Sequence, residues 1–585
     1  MLQVSGAAWE DGVLVLRRGE LVVRHPIASA TQIWVPHLTP GPENVIGDWV
    51  FRSPAVIVAD DAMALAFVVD VDDVAAASPL WLDYDHPRRT LTLSAGGYRP
   101  EGHVFFVRKP RAERDVSVRL HVLSSTRAED VDNPYGLAAR FCWERWGRRG
   151  LDRKTPFATH MDRIVRWAFT REGWGESVWQ QVDGTRGAPV FIVDVGRHPS
   201  VPAAERTWRE PRSIWNQAWF STQRCANGLL RYARQVGSAD LEARAKQMTE
   251  IALSAPQRDG LFPSVLRAEG DAWRWTNSDR RPASASADAC HLVDAAFTCR
   301  KLFEWHALTG DARALAYVER FADRIGLLQR PSGAFPGWIE PDGCVAPELA
   351  EGPESAVSVA LLFELGRREA ALAGLPFLEQ VARDARWEDF ETYYSCARWG
   401  TPGERVARNG VYKQNTLSIA WTAEAFLIAW RATNDPKWLR LARRCVDELS
   451  LYQAVWSPPF LPAPAHGGFG VMNADSEWND ARQSLFAPLY FDLARATGDA
   501  ELAERGLSAL HASFAMLYCP ENAPLARAYE KRFPFFGPES YGFMMENQGH
   551  DVAQPIGTFT IFTWGNGSAL AAVATVRDLF PEIAL

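Results

Sequence analysis

The 585-residue chain is 47% hydrophobic and 23% charged, the balance of an ordinary globular protein, and it is longer than one hydrophobic core comfortably serves, so more than one domain is expected. A formal net charge of -8 removes the electrostatic case for nucleic acid or an anionic membrane surface as a partner. The eight cysteines (Cys142, Cys225, Cys290, Cys299, Cys344, Cys396, Cys445 and Cys519) show no CxxC spacing, which argues against a zinc knuckle or a disulfide framework and reads as reduced core thiols.

The N-terminal residues carry neither a basic region nor an apolar run of signal-peptide length, and no later segment is apolar for the thickness of a bilayer. A cytoplasmic location is therefore expected. Up to about Ser125 the sequence reads as short strands at 13–16, 21–23, 33–35, 56–58, 65–69, 91–93, 104–107 and 116–122, punctuated by Gly, Pro and Asp at spacings typical of an antiparallel β-sandwich. The expected boundaries are a β-sandwich domain over 1–130, a linker over 131–158 and a helical domain over 159–585.

After Asn133-Pro134 the apolar period is helical. Residues 417–430 are apolar nearly all round, as in a helix buried on every side, whereas the following helix keeps one stripe at Trp438, Leu441, Val446 and Leu449. The same alternation recurs at 291–305 and at Leu315, Val318, Phe321 and Ile325. Short turns ending in Asp240, Asp311, Asp435 and Asp499 join such pairs, with one drifted copy near Gly366, and imply a unit of roughly 60–70 residues holding two helices and one long loop. About six such hairpins close into a toroid, so the expected fold is multidomain α and β, an N-terminal antiparallel β-sandwich followed by an (α/α)6 barrel. The long loops, near 253–289, 328–354, 385–415, 451–480 and 517–565, then share the rim that leads into the inner helices.

Residues 467–483 are the chemically densest stretch: a glycine-led loop carrying Asp475, Glu477, Asp480, Trp478 and Arg482 runs into an apolar helix, with His466 just ahead of it. Cleaving a glycosidic bond needs carboxylates on both sides of it, and an indole offers the C–H face of a sugar a stacking surface. Asp475, Glu477 and Asp480, with Glu354 at the head of another inner helix, are the candidate catalytic acids; the competing reading makes Asp475 and Asp480 caps of a helix starting near Asn479, and Glu354 a first-turn acid favoured by the helix dipole. Tyr393, Tyr394 and Asn415 on the 385–415 loop, Trp215 at the first inner helix, Trp478, Arg482 and His466, and Glu546 and His550 (beside Tyr541, Asn547 and Asp551) on the last loop are the candidate substrate-binding residues. Asp288 is read as an N-cap and His291 as a structural histidine, or as half of a His base pair with His550. A calcium site is not expected, because the spacing lacks the glycine and terminal glutamate of a calcium loop, and no cofactor or metal is called for.

With Asp475–Asp480 and the Gly-Gly-Phe-Gly run at this rim, the chain resembles carbohydrate-active enzymes that join an N-terminal β-sandwich to an (α/α)6 barrel, as in several glycoside hydrolase families. The resemblance implies a carboxylate acid/base pair on loops at the N-terminal rim of the inner helices. A glycoside hydrolase acting on an oligosaccharide is the leading expectation. A polysaccharide lyase acting on a uronate through tyrosine and histidine, a sugar epimerase or isomerase, and a glycan-binding protein are the alternatives. The β-domain is expected to lend a loop to the funnel or to support a homo-oligomer. No GxxxxGK[ST], GxSxG or HExxH motif is present.

Overall fold

The computed structural model describes residues 2–10, 12–102, 105–110, 114–396, 399–550 and 555–585. Thirteen strands lie before Thr126: β1 (Gln3–Ser5), β2 (Ala8–Glu10), β3 (Val13–Arg18), β4 (Glu20–Arg24), β5 (Gln32–Trp34), β6 (Asn44–Gly47), β7 (Ala55–Ala59), β8 (Ala64–Val69), β9 (Trp81–Asp85), β10 (Thr90–Ser94), β11 (Tyr98–Glu101), β12 (Phe105–Arg108) and β13 (Asp115–Ser125). They form two antiparallel sheets, one ordered β1-β4-β10-β9-β6-β12-β11 and the other β2-β3-β13-β8-β7-β5. Every run expected as a strand overlaps one of them; Val35 lies one residue past β5, and residue 104 lies outside the described residues. Strands β7 and β8 are buried at every position, which a sheet with one wet face does not allow. Their outer face is covered by the helix Tyr135–Arg145, which packs in turn on the helical domain. The 131–158 segment, expected as a linker, is thus the wedge between the two halves.

Among the described residues of the second half, twelve helices form the two rings, numbered here in chain order: α1 (Phe157–Phe169), α2 (Thr222–Val236), α3 (Ala239–Leu253), α4 (Leu292–Thr309), α5 (Ala312–Gly326), α6 (Ser355–Glu364), α7 (Arg368–Asp384), α8 (Thr416–Thr433), α9 (Pro436–Ser450), α10 (Arg482–Thr497), α11 (Ala500–Ala512) and α12 (Asn566–Leu579). Helices α2, α4, α6, α8, α10 and α12 touch in that order and α12 returns to α2, a closed inner ring. Five of them pair with the outer helix that follows in sequence, whereas α12 pairs with α1, so the last hairpin of the toroid is completed by the first helix. This is the double ring of an (α/α)6 barrel.

The repeated turns explain themselves chemically. Thr309, Thr433 and Thr497 donate their hydroxyls to carbonyls four residues back, Gly310, Asn434 and Gly498 take left-handed conformations that end the inner helix, and Asp311, Asp435 and Asp499 accept backbone N–H groups to cap the outer one. In the first turn the cap is Ser238 instead of Asp240, and the drifted turn after Gly366 begins α7 without a side-chain cap. Among the described residues no helix is long and apolar enough to cross a membrane.

Ring closure puts α2 and α12 in backbone contact. A Cβ on Gly228 would lie 2.2 Å from the Cβ of Ala571, so only glycine lets the first and last inner helices meet. Gly228→Ala is expected to destabilise the protein by roughly 1–3 kcal/mol in urea unfolding, and adding Ala571→Gly to recover part of that loss. An unchanged midpoint in the single variant would show that the seam is not tightly packed.

Candidate active site

Three long loops meet at the N-terminal rim of the inner ring, tied by Arg482, the first residue of α10. Its fully buried guanidinium donates to both carboxylate oxygens of Glu391 (2.9 and 2.7 Å), to Asp480 (2.9 Å), to Asn415 (2.7 Å) and to Thr416 (3.3 Å). Glu391 and Asp480 outweigh burial and hold the arginine charged. Asn415 caps α8 by accepting from Leu417 N (2.9 Å) and donates its amide to Asp389 (3.0 Å) and Glu391. Between Asp480 and Arg482 stands Ala481 at φ 60, a left-handed conformation costing a non-glycine residue about 1–2 kcal/mol. It is itself the N-cap of α10, and neither Asp475 nor Asp480 caps that helix.

Buried Asp475 and Glu477 form a second cluster with half-buried His550. His550 Nδ1 contacts Glu477 and lies 3.6 Å from Asp475. Burial, then the Asp475 charge, pushes Glu477 well above the ordinary carboxylate range. Burial would also raise Asp475, but hydrogen bonds from Glu477 and His550 hold it at about 2, while the Glu477 and Asp475 charges raise His550 to about 12. Asp475 is thus the ionised carboxylate of the pair, and Glu477 and His550 share the remaining protons of the cluster. Its three ligand-type atoms lie within 4.8 Å of one another, a donor set of the kind that takes a divalent cation. Behind it the β-domain inserts Arg52, which donates to Glu477 O (2.6 Å); a Cβ on Gly470 would lie 2.5 Å from this guanidinium, which accounts for that glycine.

A third set lies deeper. Glu354 accepts from Phe390 N (2.8 Å) and lies 3.4 Å from His291, whose other ring nitrogen is 3.0 Å from Asp294. Burial would lower His291, but Asp294 and then Glu354 raise it to about 10; its ring is enclosed by Trp338, stacked at 4.4 Å, and by Phe390. Asp389, hydrogen-bonded by Ser418 (2.8 Å), is raised by burial and by the charges of Glu391 and Glu354.

A cleft of about 320 Å³ opens onto this region. One wall is aromatic: Trp215 stacks on Phe191 at 3.9 Å and Trp219 on Phe220 at 4.2 Å. Arg209 and Arg280 stand at its mouth, and Asp475, Glu546 and His550 line its polar side. Burial, then the Asp480 charge, raises half-buried Glu546 to about 7. Asp480, raised by burial to about 6 against the pull of Arg482, also accepts the indole N–H of Trp564 (3.4 Å) and lies out of the cleft lining.

Of the residues expected to act, the structure gathers Asp475, Glu546, His550 and Trp215 around one cleft, with Glu477 directly behind. Several others need correction. Trp478 is fully buried, its N–H on Trp49 O (2.6 Å) and its ring against Trp456 and Phe460, so it offers no face to a sugar. Arg482 and Asn415 spend their polar groups on neighbouring protein atoms and support the site from beneath. Tyr393 is buried under its own loop, donating to Glu388 (2.8 Å), while Tyr394 packs edge-on against Trp338. Glu354 is committed to Phe390 N and His291 outside the cleft lining, and His466 lines a different cleft on Ser457. Asp288 is exposed and does not cap α4, and Asp551 lies outside the described residues.

Sequence reasoning passed over Asp389, Asp294, Arg209 and Arg52. Asp294 had a visible signal, an acid inside an otherwise apolar inner helix three residues after His291; Arg52 had none, since its partner is 425 positions away. Arg482→Met leaves Glu391 and Asp480 buried without their counter-charge, and a loss of roughly 3–5 kcal/mol is expected in urea unfolding. A loss below about 1 kcal/mol would mean that these carboxyls simply take up protons and need no partner.

No protein-family model matches the sequence, and a search of curated proteins finds no match. Among solved structures the chain is similar to a sugar epimerase from a ruminal bacterium (12% identity, 74% of this chain and 100% of that one, TM-score 0.46) and to a D-mannose isomerase (12%, 73% and 99%, TM-score 0.47). It is also similar to a glycoside hydrolase family 76 mannosidase from Bacteroides thetaiotaomicron (8%, 72% and 99%, TM-score 0.43).

Proposed function

We propose that this chain is a glycoside hydrolase that cleaves an oligosaccharide in the cleft between Trp215 and Asp475, with Glu546 as general acid and Asp475 as the carboxylate that activates water or stabilises the developing positive charge. The observation that carries this reading is that two carboxyls held in opposite protonation states line one cleft beside an aromatic wall. Glu546, near 7, keeps its proton at neutral to mildly acidic pH and can pass it to a leaving oxygen, while Asp475 stays ionised. Glu477 and His550 position Asp475. In the same reading the two N-terminal sheets form a β-sandwich that braces the barrel rim through Arg52 and Trp49. Elimination is less well supported, because the Tyr393 hydroxyl is engaged by Glu388, and a His base pair is less well supported because His291 is enclosed away from His550.

Glu546→Gln and Asp475→Asn are each expected to lower kcat by roughly 10²–10⁴-fold on a cleaved oligosaccharide. Activity should rise as Asp475 ionises, above about 2, and fall as Glu546 loses its proton, through about 7; the alkaline limb should vanish in Glu546→Gln. Product mass spectrometry in ¹⁸O-water is the decisive assay. Heavy oxygen on the released sugar supports hydrolysis, an unsaturated product without it would replace this reading by elimination, and an isomerised sugar without cleavage would replace it by epimerase or isomerase chemistry.

A further inference from the structure

A second cleft, of about 300 Å³, lies where the N-termini of α1 and of the helix Ala523–Arg532 converge with the 460s loop, and its lining does not include the carboxylates described above. Its lining sets Arg149, Arg153, Lys154, His160 and His466 against one carboxylate, Glu521. The N-cap residues, Pro156 and Asn522, provide no side-chain hydrogen bond to the first turn of either helix, so both positive helix ends face the cleft without a side-chain cap. His160 is 1% exposed and its Nδ1 has no hydrogen-bond partner among the described residues; Nε2 of His466, Nη1 of Arg153 and the hydroxyl of Thr155, on half-buried residues, likewise have none. Arg153 spends its other nitrogen on Asn522 (3.2 Å), and Lys154 is exposed at the rim.

Burial, then Arg163 and Arg153, pushes His160 down to about 4, and burial, then Arg149 and Arg153, does the same to His466. The single carboxylate in the lining, Glu521, is paired with Arg163 (2.7 Å), and Arg149 is held by Asp72 (2.9 Å). Glu521 and Cys519 also fall within ligand distance of His160, but a cation there would have to displace Arg163 and sit among further positive charges.

We propose that this cleft binds a compact oxyanion of the phosphate class, held by Arg153, Lys154, His160 and His466 and by the two helix N-termini. The geometry suits a tetrahedral anion because donors converge from two helix ends and from the 460s loop. The ligand is either free phosphate or the phosphoryl group of a phosphorylated sugar, which share this recognition chemistry. The inference is independent of the proposed hydrolase activity.

Calorimetric titration of the full chain with sodium phosphate, with glucose 6-phosphate in parallel, and sodium chloride at equal ionic strength as control, tests it. Saturable binding of one or both phosphates but not of chloride is expected, with the tighter of the two identifying the source. Arg153→Met should weaken binding at least roughly tenfold, and Lys154→Gln, at an exposed position with little bearing on folding, by roughly two- to fivefold. Absence of saturable binding to either phosphate, or binding unchanged in Lys154→Gln and in folded Arg153→Met, overturns the proposal. So does a zinc-dependent rise in Tm, lost in His160→Ala, in a protein that binds neither phosphate.

Discussion

The rim of the barrel depends on one buried cation. Arg482 lies with no access to solvent between Glu391 and Asp480, and a guanidinium in that position is tolerable only with counter-charges and every N–H directed at an acceptor. Meeting that demand brings the 385–415 loop, the start of α8 and the end of the 451–480 loop to one point. Replacing the network by apolar side chains of equal volume need not cost stability, so its contribution is geometric. It fixes where Asp475 and Glu477 leave the loop, and it supplies the buried carboxylate field in which Asp480 and, beyond it, Glu546 are raised.

The β-domain acts on the same loop from the opposite side. Trp49 accepts from Trp478 and donates to Gly549 O (3.0 Å), Arg52 holds Glu477 O, and Leu38 N donates to Asn473 O (2.8 Å). These backbone contacts stretch across more than 400 residues and clamp the two loops carrying Asp475 and His550. Two carboxyls and an imidazole as closely spaced as Asp475, Glu477 and His550 keep their places only if the backbone is held, which gives the first 125 residues a part in the geometry of the candidate site.

The tryptophans show how far composition misleads. Trp215 and Trp478, both candidate substrate-binding residues from the sequence, part company in the structure. Trp478 and Trp456 seal the junction between the halves, while Trp215 and Trp219 form a wall of the cleft. The difference between a sealing indole and a stacking one is the identity of what covers its face, and that partner comes from a distant part of the chain. Tyr393 and His466 are the opposite case: each is engaged by a neighbour in its own loop, Glu388 and Ser457.

The sequence by itself determined what is local. Apolar period, the Thr-Gly-Asp turn chemistry and the contrast between all-round and one-sided helices specify hairpins, their inner and outer members and the rim on which the long loops lie, because these depend on residues three to four positions apart. It also marked the 467–483 stretch as dense in acids. Only the tertiary structure decided that α1 closes the ring with α12, that the 131–158 segment is a packed wedge, and which acids share a cleft. Protonation states belong to that second class: Asp475 and Glu477, two positions apart and alike in sequence, are both buried and both face His550, and their own mutual hydrogen bond lowers the one and raises the other, which no local pattern encodes.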